Sequence, residues 1–259
     1  MRRALIGHTG FVGGNLRAQG SYTDCFNSKN FQQMRGEAYD EVVCAGVSAV
    51  KWKANKEPEA DRAGIAALEA VLNEVEAARF VLISTIDVYP VITGEDEAYD
   101  CQAQPNHAYG THRLAFEAFC AQRFADCRVI RLPGLFGTGL KKNVIFDLLH
   151  DNCLEMINPA SSFQYYDLSA LTEDIERVVQ SALTLVNFFT EPVPTADILQ
   201  RFFPEAKVGA EPVGEAHYDL RTRHAELWGR TGPYIASREE MLERIEAFIQ
   251  RQRASNPPR

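Results

Sequence analysis

The sequence predicts an α/β fold, a Rossmann-like doubly wound parallel sheet with a small C-terminal lobe. Three observations predict it. Short, continuous apolar runs alternate with helical patterns through the first half, as in a parallel sheet covered on both faces. A glycine-rich turn, Gly7 to Gly13, stands between the first apolar run and a helix. The composition is ordinary for a globular chain: 259 residues, 46% hydrophobic and 24% charged. That excludes disorder, collagen and coiled coil as the main architecture.

The elements follow in order. Arg3 to Ile6 is a strand, and a helix around Asn15 follows the glycines. A second strand near Tyr22 to Phe26 ends at Asn27-Ser28-Lys29. Glu41 to Ala45 is a short apolar strand, after which Ile65, Leu68, Leu72 and Val75 recur at helical spacing. Arg79 to Ser84 (RFVLIS) is a β-rich run of buried type. His107 to Phe124 is helical and Arg128 to Leu132 is the next strand. After Pro133 the rhythm changes. Asn143 to Leu149 is helical, and Leu171, Ile175, Val178 and Ala182 form another helical stripe. Leu185 to Phe189 is a strand, and Ile198, Leu199 and Phe202 mark a short helix. Ser237-Arg238-Glu239-Glu240 is a capping box for the last helix. The expected division is 1–140, a dinucleotide-binding domain, and 141–259, a sheet extension mixed with a smaller substrate lobe.

Charge narrows the function classes. Lys+Arg total 27 against Asp+Glu 35, a net charge of -8, which gives no general attraction to nucleic acid or anionic membranes. The richest apolar stretch, Ala182 to Phe189, is broken by Thr184 and Asn187 and is too short to span a bilayer. After Met1-Arg2-Arg3, the residues Gly7, His8 and Gly10 interrupt any signal-peptide core. Six cysteines lie without a C-x-x-C pair and read as reduced thiols, several in the core. No Cys/His spacing suggests zinc, so no metal is expected. The expectation is a cytoplasmic protein with a small-molecule substrate.

Gly7-His8-Thr9-Gly10-Phe11-Val12-Gly13 directly follows the first strand. Gly7 suits the tight turn, Gly10 lets a backbone approach a pyrophosphate, and Gly13 lets the helix pack closely on the sheet. The N–H groups opening that helix then face phosphates. A glycine-rich turn without a ligand is the plainer alternative; strand, turn and helix together favour dinucleotide binding. For the cofactor, NAD or NADP, the end of the second strand matters. Asn27-Ser28-Lys29 carries no carboxylate to grip a ribose 2′-hydroxyl or repel a 2′-phosphate. Lys29 could pair with that phosphate or merely solvate a loop. The balance tips slightly to NADP.

Ser84 and Thr85 close the RFVLIS strand, at the carboxyl end where open α/β sheets bind ligands. Tyr109 and Arg113 are four apart on one helical face, and the stripe continues through Phe116 and Cys120. An inward Tyr with a cation one turn on is expected to ionise more easily than usual and to serve as an acid/base. The alternative is a packed ring with its hydroxyl at the surface and a snorkelling Arg. Asp87 and Tyr89 either line the site or pack. His107 and His112 flank Tyr109, where one could assist proton transfer or both could be surface residues. Lys141, Lys142 and Asn143 precede a helix and either hold an anionic substrate group or form a solvated loop.

GHTGFVGG, VCAG with the following helix, LISTIDVYP, YGTHRLAFE and RLPGLFG occur in the order seen in extended short-chain dehydrogenases/reductases. The chain resembles their NAD-dependent epimerase/dehydratase group over residues 1 to about 140, and more thinly beyond, where QYYDLSALTEDI resembles a segment bordering the substrate pocket. The resemblance implies a Rossmann domain, a bound nicotinamide dinucleotide and a Ser/Thr–Tyr–Lys catalytic set. It puts Thr85 in the Ser/Thr place and Tyr109 in the Tyr place. Phe11 and Val12 fall in the phosphate loop, Ala45 and Gly46 on the adenosine side, and Pro133 beside the nicotinamide. It also implies a homodimer. Three positions depart from the pattern: Arg113 stands at the Lys place, where it would hold the ribose and keep Tyr109 acidic; Gly134 replaces an Asn; Ser161 replaces a basic residue. The expected function is an NAD(P)-dependent oxidoreductase or epimerase/dehydratase on a hydroxyl-bearing, sugar-like substrate. The alternative that Arg113 feeds is a dinucleotide-binding relative with weak or no catalysis, acting as a sensor or assembly partner.

Overall fold

The computed structural model describes residues 1–209 and 213–255. In chain order its elements are β1 (Arg3–Ile6), α1 (Phe11–Gln19), β2 (Asp24–Phe26), β3 (Ala38–Cys44), α2 (Lys51–Lys56) and α3 (Pro58–Leu72). Then come β4 (Glu76–Thr85), α4 (Ala108–Arg123), β5 (Cys127–Leu132), β6 (Gly134–Phe136), α5 (Val144–His150) and β7 (Ser162–Phe163). The chain ends with β8 (Tyr165–Asp167), α6 (Leu171–Gln180), β9 (Leu185–Asn187), β10 (Val193–Pro194), α7 (Thr195–Phe202) and α8 (Arg238–Ser255).

Two compact units interleave along the chain. The first comprises Met1–Val91, Glu97–Leu132 and Ser169–Asn187; the second comprises Ile92–Asp96, Pro133–Leu168 and the chain from Phe188 onward. The expected single cut after residue 140 is therefore replaced by several crossings. The physical reason is that β9 pairs in parallel with β5, Ile130 opposite Val186, so the chain past 140 returns to complete the first unit's sheet.

That sheet has six parallel strands in the order β2-β1-β3-β4-β5-β9. Chain order reverses between β1 and β3, and ligands of such sheets bind at the carboxyl ends beside this reversal. The central strands are apolar on both faces because both are covered: Val42, Val43, Cys44, Phe80, Val81 and Leu82 are each 2% exposed or less. Proline at the first position opens α3 without wasting a hydrogen bond. The helix buries Ile65, Leu68, Val71 and Leu72, and α4 adds Phe116 and Cys120 to the same core. Each such side chain contributes about 1.5–3 kcal/mol. Val75, expected on the helix, joins this core from the turn between α3 and β4, three residues past the end of α3. Cys44, Cys101, Cys120 and Cys127 are buried free thiols, while Cys153 is exposed.

The second unit holds two two-stranded sheets, β10 with β7 and β6 with β8. Its core gathers Phe136, Ile145, Leu148, Ile198, Leu242, Ile245 and Ile249. The capping box forms as expected: Glu240 accepts from Ser237 N at 2.8 Å and its own N–H donates to Ser237 Oγ at 3.3 Å. Among the described residues no helix is long and apolar enough to cross a membrane.

Candidate functional site

The glycine turn is built by close approaches. Gly7 has φ +90°, and a Cβ there would stand 2.2 Å from the Ala45 carbonyl oxygen. A Cβ on Gly13 would stand 2.1 Å from the Gly7 oxygen, so α1 lies directly on the turn. Gly10 donates to the Gly7 oxygen at 2.9 Å and caps α1 without a side chain. Thr9 and Gly10 are exposed, Phe11 and Val12 half-buried. The first N–H groups of α1 have no partner within the helix.

Beside this turn lies a cavity of about 300 Å³, at the reversal between β1 and β3. Gly7, Asn27, Ser28, Phe31, Gly46 and Asp61 are among its lining residues. A Cβ on Gly46 would meet Ile6 at 2.5 Å, and Ala45 N donates to the Ile6 oxygen at 2.9 Å, which holds the β3 exit tight against β1. The bare turn, the free helix start and the adjoining cavity fit the pyrophosphate and adenosine of a dinucleotide. Asn27 Oδ1 accepts from Lys29 N at 2.9 Å and its Nδ2 lies 3.3 Å from His8 Nε2. Lys29 itself is exposed and does not line the cavity.

The second constellation forms where β4 ends. Thr85 Oγ1 accepts from Asp87 N at 3.1 Å and faces Asp87 Oδ2 at 3.4 Å. Thr85 also lies beside Tyr109, where its hydroxyl favours the ionised phenol. The helix α4 is pressed onto this turn, since a Cβ on Gly110 would stand 2.1 Å from the Asp87 carbonyl oxygen. Asn106 Nδ2 donates to that same oxygen at 2.9 Å, and Tyr109 N donates to Asn55 Oδ1 on α2 at 2.9 Å. His107 caps α4, its Nδ1 accepting from Gly110 N at 3.0 Å. Burial and the nearby Lys51 charge hold His107 below its ordinary pKa. Lys51 Nζ lies 2.5 Å from Asp87 Oδ1.

Arg113 stands on the inward face beside Tyr109, as expected, and is paired within the protein. Its NH1 meets Asp61 Oδ2 at 2.5 Å and its NH2 meets Asp61 Oδ1 at 2.8 Å. NH2 also donates to the Ser48 oxygen at 2.6 Å and NH1 to the Tyr109 oxygen at 3.2 Å. The guanidinium carbon lies 3.8 Å from the centre of the Tyr109 ring, over its face. Both terminal nitrogens are engaged within the protein, and their partner Asp61 lines the cavity. The expected easier ionisation of Tyr109 is reversed: burial pushes its hydroxyl above the ordinary value, and the opposing effects of Arg113 and Thr85 do not offset it. Asp61 itself is held below the usual carboxylate range: burial works against this, and the bonds from Arg113 and His112 outweigh it.

Ser84 is likewise paired within the protein. Its hydroxyl donates to Glu117, which pairs with Arg131 at 2.6 Å. Arg131 NH1 donates to Tyr89 Oη at 2.9 Å, and Asn187 Nδ2 reaches the same oxygen at 2.8 Å. This buried network ties Ser84 and Tyr89 to Glu117 and Arg131.

The remaining expected residues belong to the second unit. Pro133 is buried at its start, and Lys141 and Lys142 are exposed. Asn143, with φ 131°, caps α5: its Oδ1 accepts from Phe146 N at 3.0 Å and its Nδ2 donates to the Leu135 oxygen at 2.9 Å. Its amide oxygen makes the cap and its nitrogen ties the cap to Leu135. Among the described residues no group of three His, Cys, Asp or Glu side chains is placed to hold a metal ion.

The sequence reading missed Lys51 and Asp61. Lys51 sits in the lysine-rich KWKANK, and Asp61 in the acidic first turn of α3, where a carboxylate reads as a partner of the helix dipole. Neither position has a local spacing that points to Asp87 or Arg113.

No family model matches the chain, and no curated protein sequence matches it. Solved structures do share its fold. A UDP-glucose 4-epimerase from Thermotoga maritima, with UDP-glucose, is 14% identical, covers 98% of this chain and 99% of its own, and has a TM-score of 0.73. MoeE5 with UDP-glucuronic acid and NAD is 17% identical over 98% of this chain and 100% of its own, TM-score 0.74. A dTDP-4-dehydrorhamnose reductase from Bacillus anthracis, with NADP, is 18% identical over 95% and 97%, TM-score 0.72. The architecture is thus the Rossmann-like one of these nucleotide-sugar epimerases and reductases.

Proposed function

We propose that this chain is an NAD(P)-dependent oxidoreductase or epimerase/dehydratase acting on a hydroxyl-bearing sugar, with a nucleotide sugar as the first class to test. One observation carries the reading: the carboxyl end of β4, where Thr85 lies beside Tyr109, belongs to the same unit as the bare glycine turn and its cavity. Gly7, Gly10, Phe11, Val12 and Gly13 would hold the pyrophosphate, and Asn27, Ser28, Ala45 and Gly46 the adenosine side. A nicotinamide dinucleotide, when bound, supplies the group that accepts or gives a hydride. Thr85 would hydrogen-bond the reacting hydroxyl and Tyr109 Oη would take or return its proton. The absence of a carboxylate at Asn27-Ser28-Lys29 supports NADP slightly over NAD. The second unit, with Lys141 and Lys142 exposed on it, would serve the substrate, and the protein would work as a cytoplasmic homodimer.

Calorimetry with NAD and NADP tests the first step; with UDP-glucose, UDP-glucuronic acid and dTDP-4-dehydrorhamnose, absorbance at 340 nm for net oxidation or reduction and chromatography of the sugar products for epimerisation or dehydration test the second. The expected outcome is micromolar dinucleotide binding and turnover of one of these sugars, lost at least 100-fold in Tyr109→Phe with binding intact. Binding without turnover of any sugar would favour the second reading, a dinucleotide-dependent sensor or assembly partner. That reading draws on the Arg113–Asp61 pair, which commits the guanidinium to a partner within the protein.

A further inference from the structure

The helix α2 has only six residues, and its sides differ. Val50 and Glu57, which flank it, and Lys53 and Ala54 within it all line the cavity beside the glycine turn. Positions 50, 53, 54 and 57 follow the spacing of one helical side. Lys51 and Asn55, four apart, share a second side. There Lys51 Nζ lies 2.5 Å from Asp87 Oδ1 in the turn after β4, and Asn55 Oδ1 accepts from Tyr109 N at 2.9 Å. Trp52 and Lys56 fall on a third side and are exposed. One short helix therefore touches the cavity on one side and the start of α4 on another.

The bond to Tyr109 is a helix cap supplied from another helix. The first N–H groups of an α-helix have no partner within it. At the start of α4 two of them are served locally: His107 N donates to Asn106 Oδ1 at 2.8 Å, and Gly110 N to His107 Nδ1 at 3.0 Å. The Tyr109 N–H is taken instead by Asn55, 54 positions earlier in the chain. We propose that Asn55 is a positioning residue for Tyr109, and that through it α2 couples occupancy of the dinucleotide cavity to the placement of Tyr109. This rests on the functional reading above.

The physical basis is the shortness of α2. Isolated helices under about 12–15 residues are marginal in water, so α2 depends on what packs against it. When a dinucleotide fills the cavity, the side carrying Val50, Lys53, Ala54 and Glu57 gains a partner and α2 opens less often. The Asn55 oxygen then stays on the Tyr109 N–H for a larger share of the time. In the empty protein α2 opens more often, and water takes the place of the exposed Asn55. Tyr109 itself is 6% exposed, so a shift of its backbone carries the ring and hydroxyl with it relative to Thr85 and the bound cofactor. An acid/base displaced in this way loses rate without losing its chemistry.

The experiment follows hydrogen exchange at the Tyr109 amide by NMR, with tyrosine-selective isotope labelling and Tyr109→Phe to assign the signal. It is run with and without whichever of NAD and NADP calorimetry shows to bind, in the parent, Asn55→Ala, Asn55→Asp and Lys56→Ala. In the parent, the dinucleotide should slow this exchange about fivefold or more. Asn55→Ala should exchange about tenfold faster than the parent and lose the response to dinucleotide. Asn55→Asp, which keeps an acceptor oxygen at the same place and suits a helix start, should restore both. Lys56→Ala, on the exposed side of α2, should match the parent. On any of the three named sugars that the parent turns over, kcat should fall about tenfold in Asn55→Ala with the sugar KM nearly unchanged, and Asn55→Asp should recover it. Unchanged exchange or unchanged kcat in Asn55→Ala overturns the proposal, as does a Lys56→Ala that behaves like it. The parent's response needs no variant to fold: a parent that binds dinucleotide with no slowing at Tyr109 sinks the inference and leaves the functional reading standing. A parent that binds no dinucleotide sinks both.

Discussion

At residue 113 a guanidinium does what an ammonium could not. It makes two bonds to Asp61, one to the Ser48 carbonyl and one to the Tyr109 carbonyl, with its plane on the Tyr109 ring. A lysine carries three donors on a point charge and no planar fork. Arg113→Lys should therefore leave the Ser48 carbonyl or one Asp61 oxygen unpaired and destabilise the protein by about 2 kcal/mol. Arg113→Ala, which strands a buried carboxylate at Asp61, should cost about 3–5 kcal/mol. Urea unfolding of the two variants checks the order; a Lys variant as stable as the parent would show that the fork is not needed. The residue type at 113 was plain in the sequence, and so was its inward face: Tyr109, Arg113, Phe116 and Cys120 are all 6% exposed or less. What the sequence did not disclose is the partner, because Asp61 lies 52 positions away on a different helix.

Among the elements, α4 carries the most consequence, since its first turn sets Tyr109. The helix starts on a histidine, and His107 Nδ1 must be unprotonated to accept from Gly110 N. Burial and Lys51 hold its pKa below the unfolded value of about 6.5. A depressed pKa means the unfolded chain binds the proton more readily. This contribution to stability is then present above about pH 6.5 and is lost as the pH falls through the folded value. Thermal melts between pH 7.5 and 5 should accordingly show a Tm that declines on acidification. His107→Asn, a good cap that does not titrate, should flatten that part of the decline. An identical slope in the variant would assign the decline to other groups. The elements themselves were largely legible. Strands β1, β3, β4 and β5 show as apolar runs, and α3, α4 and α8 as 3.6-residue stripes, because both signals are local in sequence. The candidate centre was half legible: Thr85, Asp87 and Tyr109 lie near strand and helix ends, whereas Lys51 reaches Asp87 across 36 residues with no periodic signal. Ser84 and Asn143 show why a polar residue type alone does not fix a role. A polar side chain at an element end suits a ligand or a cap equally, and only the neighbours decide.

For the whole molecule, the organisation turns on β9, a strand of three residues that supplies the outer edge of a six-stranded sheet from far down the chain. So short a strand has no pattern that assigns it to one sheet, which is why a single boundary near residue 140 read as natural. The fragment 1–140 would lack α6 and β9 and leave the β5 edge unpaired, along with the apolar surface that Leu171, Ile175, Val178 and Val186 bury. Expressed alone, it should aggregate or melt without a cooperative transition by circular dichroism, while the full chain melts sharply. A folded 1–140 fragment would mean that the sheet closes without β9. The chain passes between its units at 91/92, 96/97, 132/133, 168/169 and 187/188. Such a weave has an evolutionary consequence. No single recombination point separates one unit from the other, so a lineage carrying this fold cannot trade its second unit for another by one fusion or deletion. New preferences there must arise by point substitution or by insertion within segments such as 133–168, with the sheet of the first unit inherited alongside them.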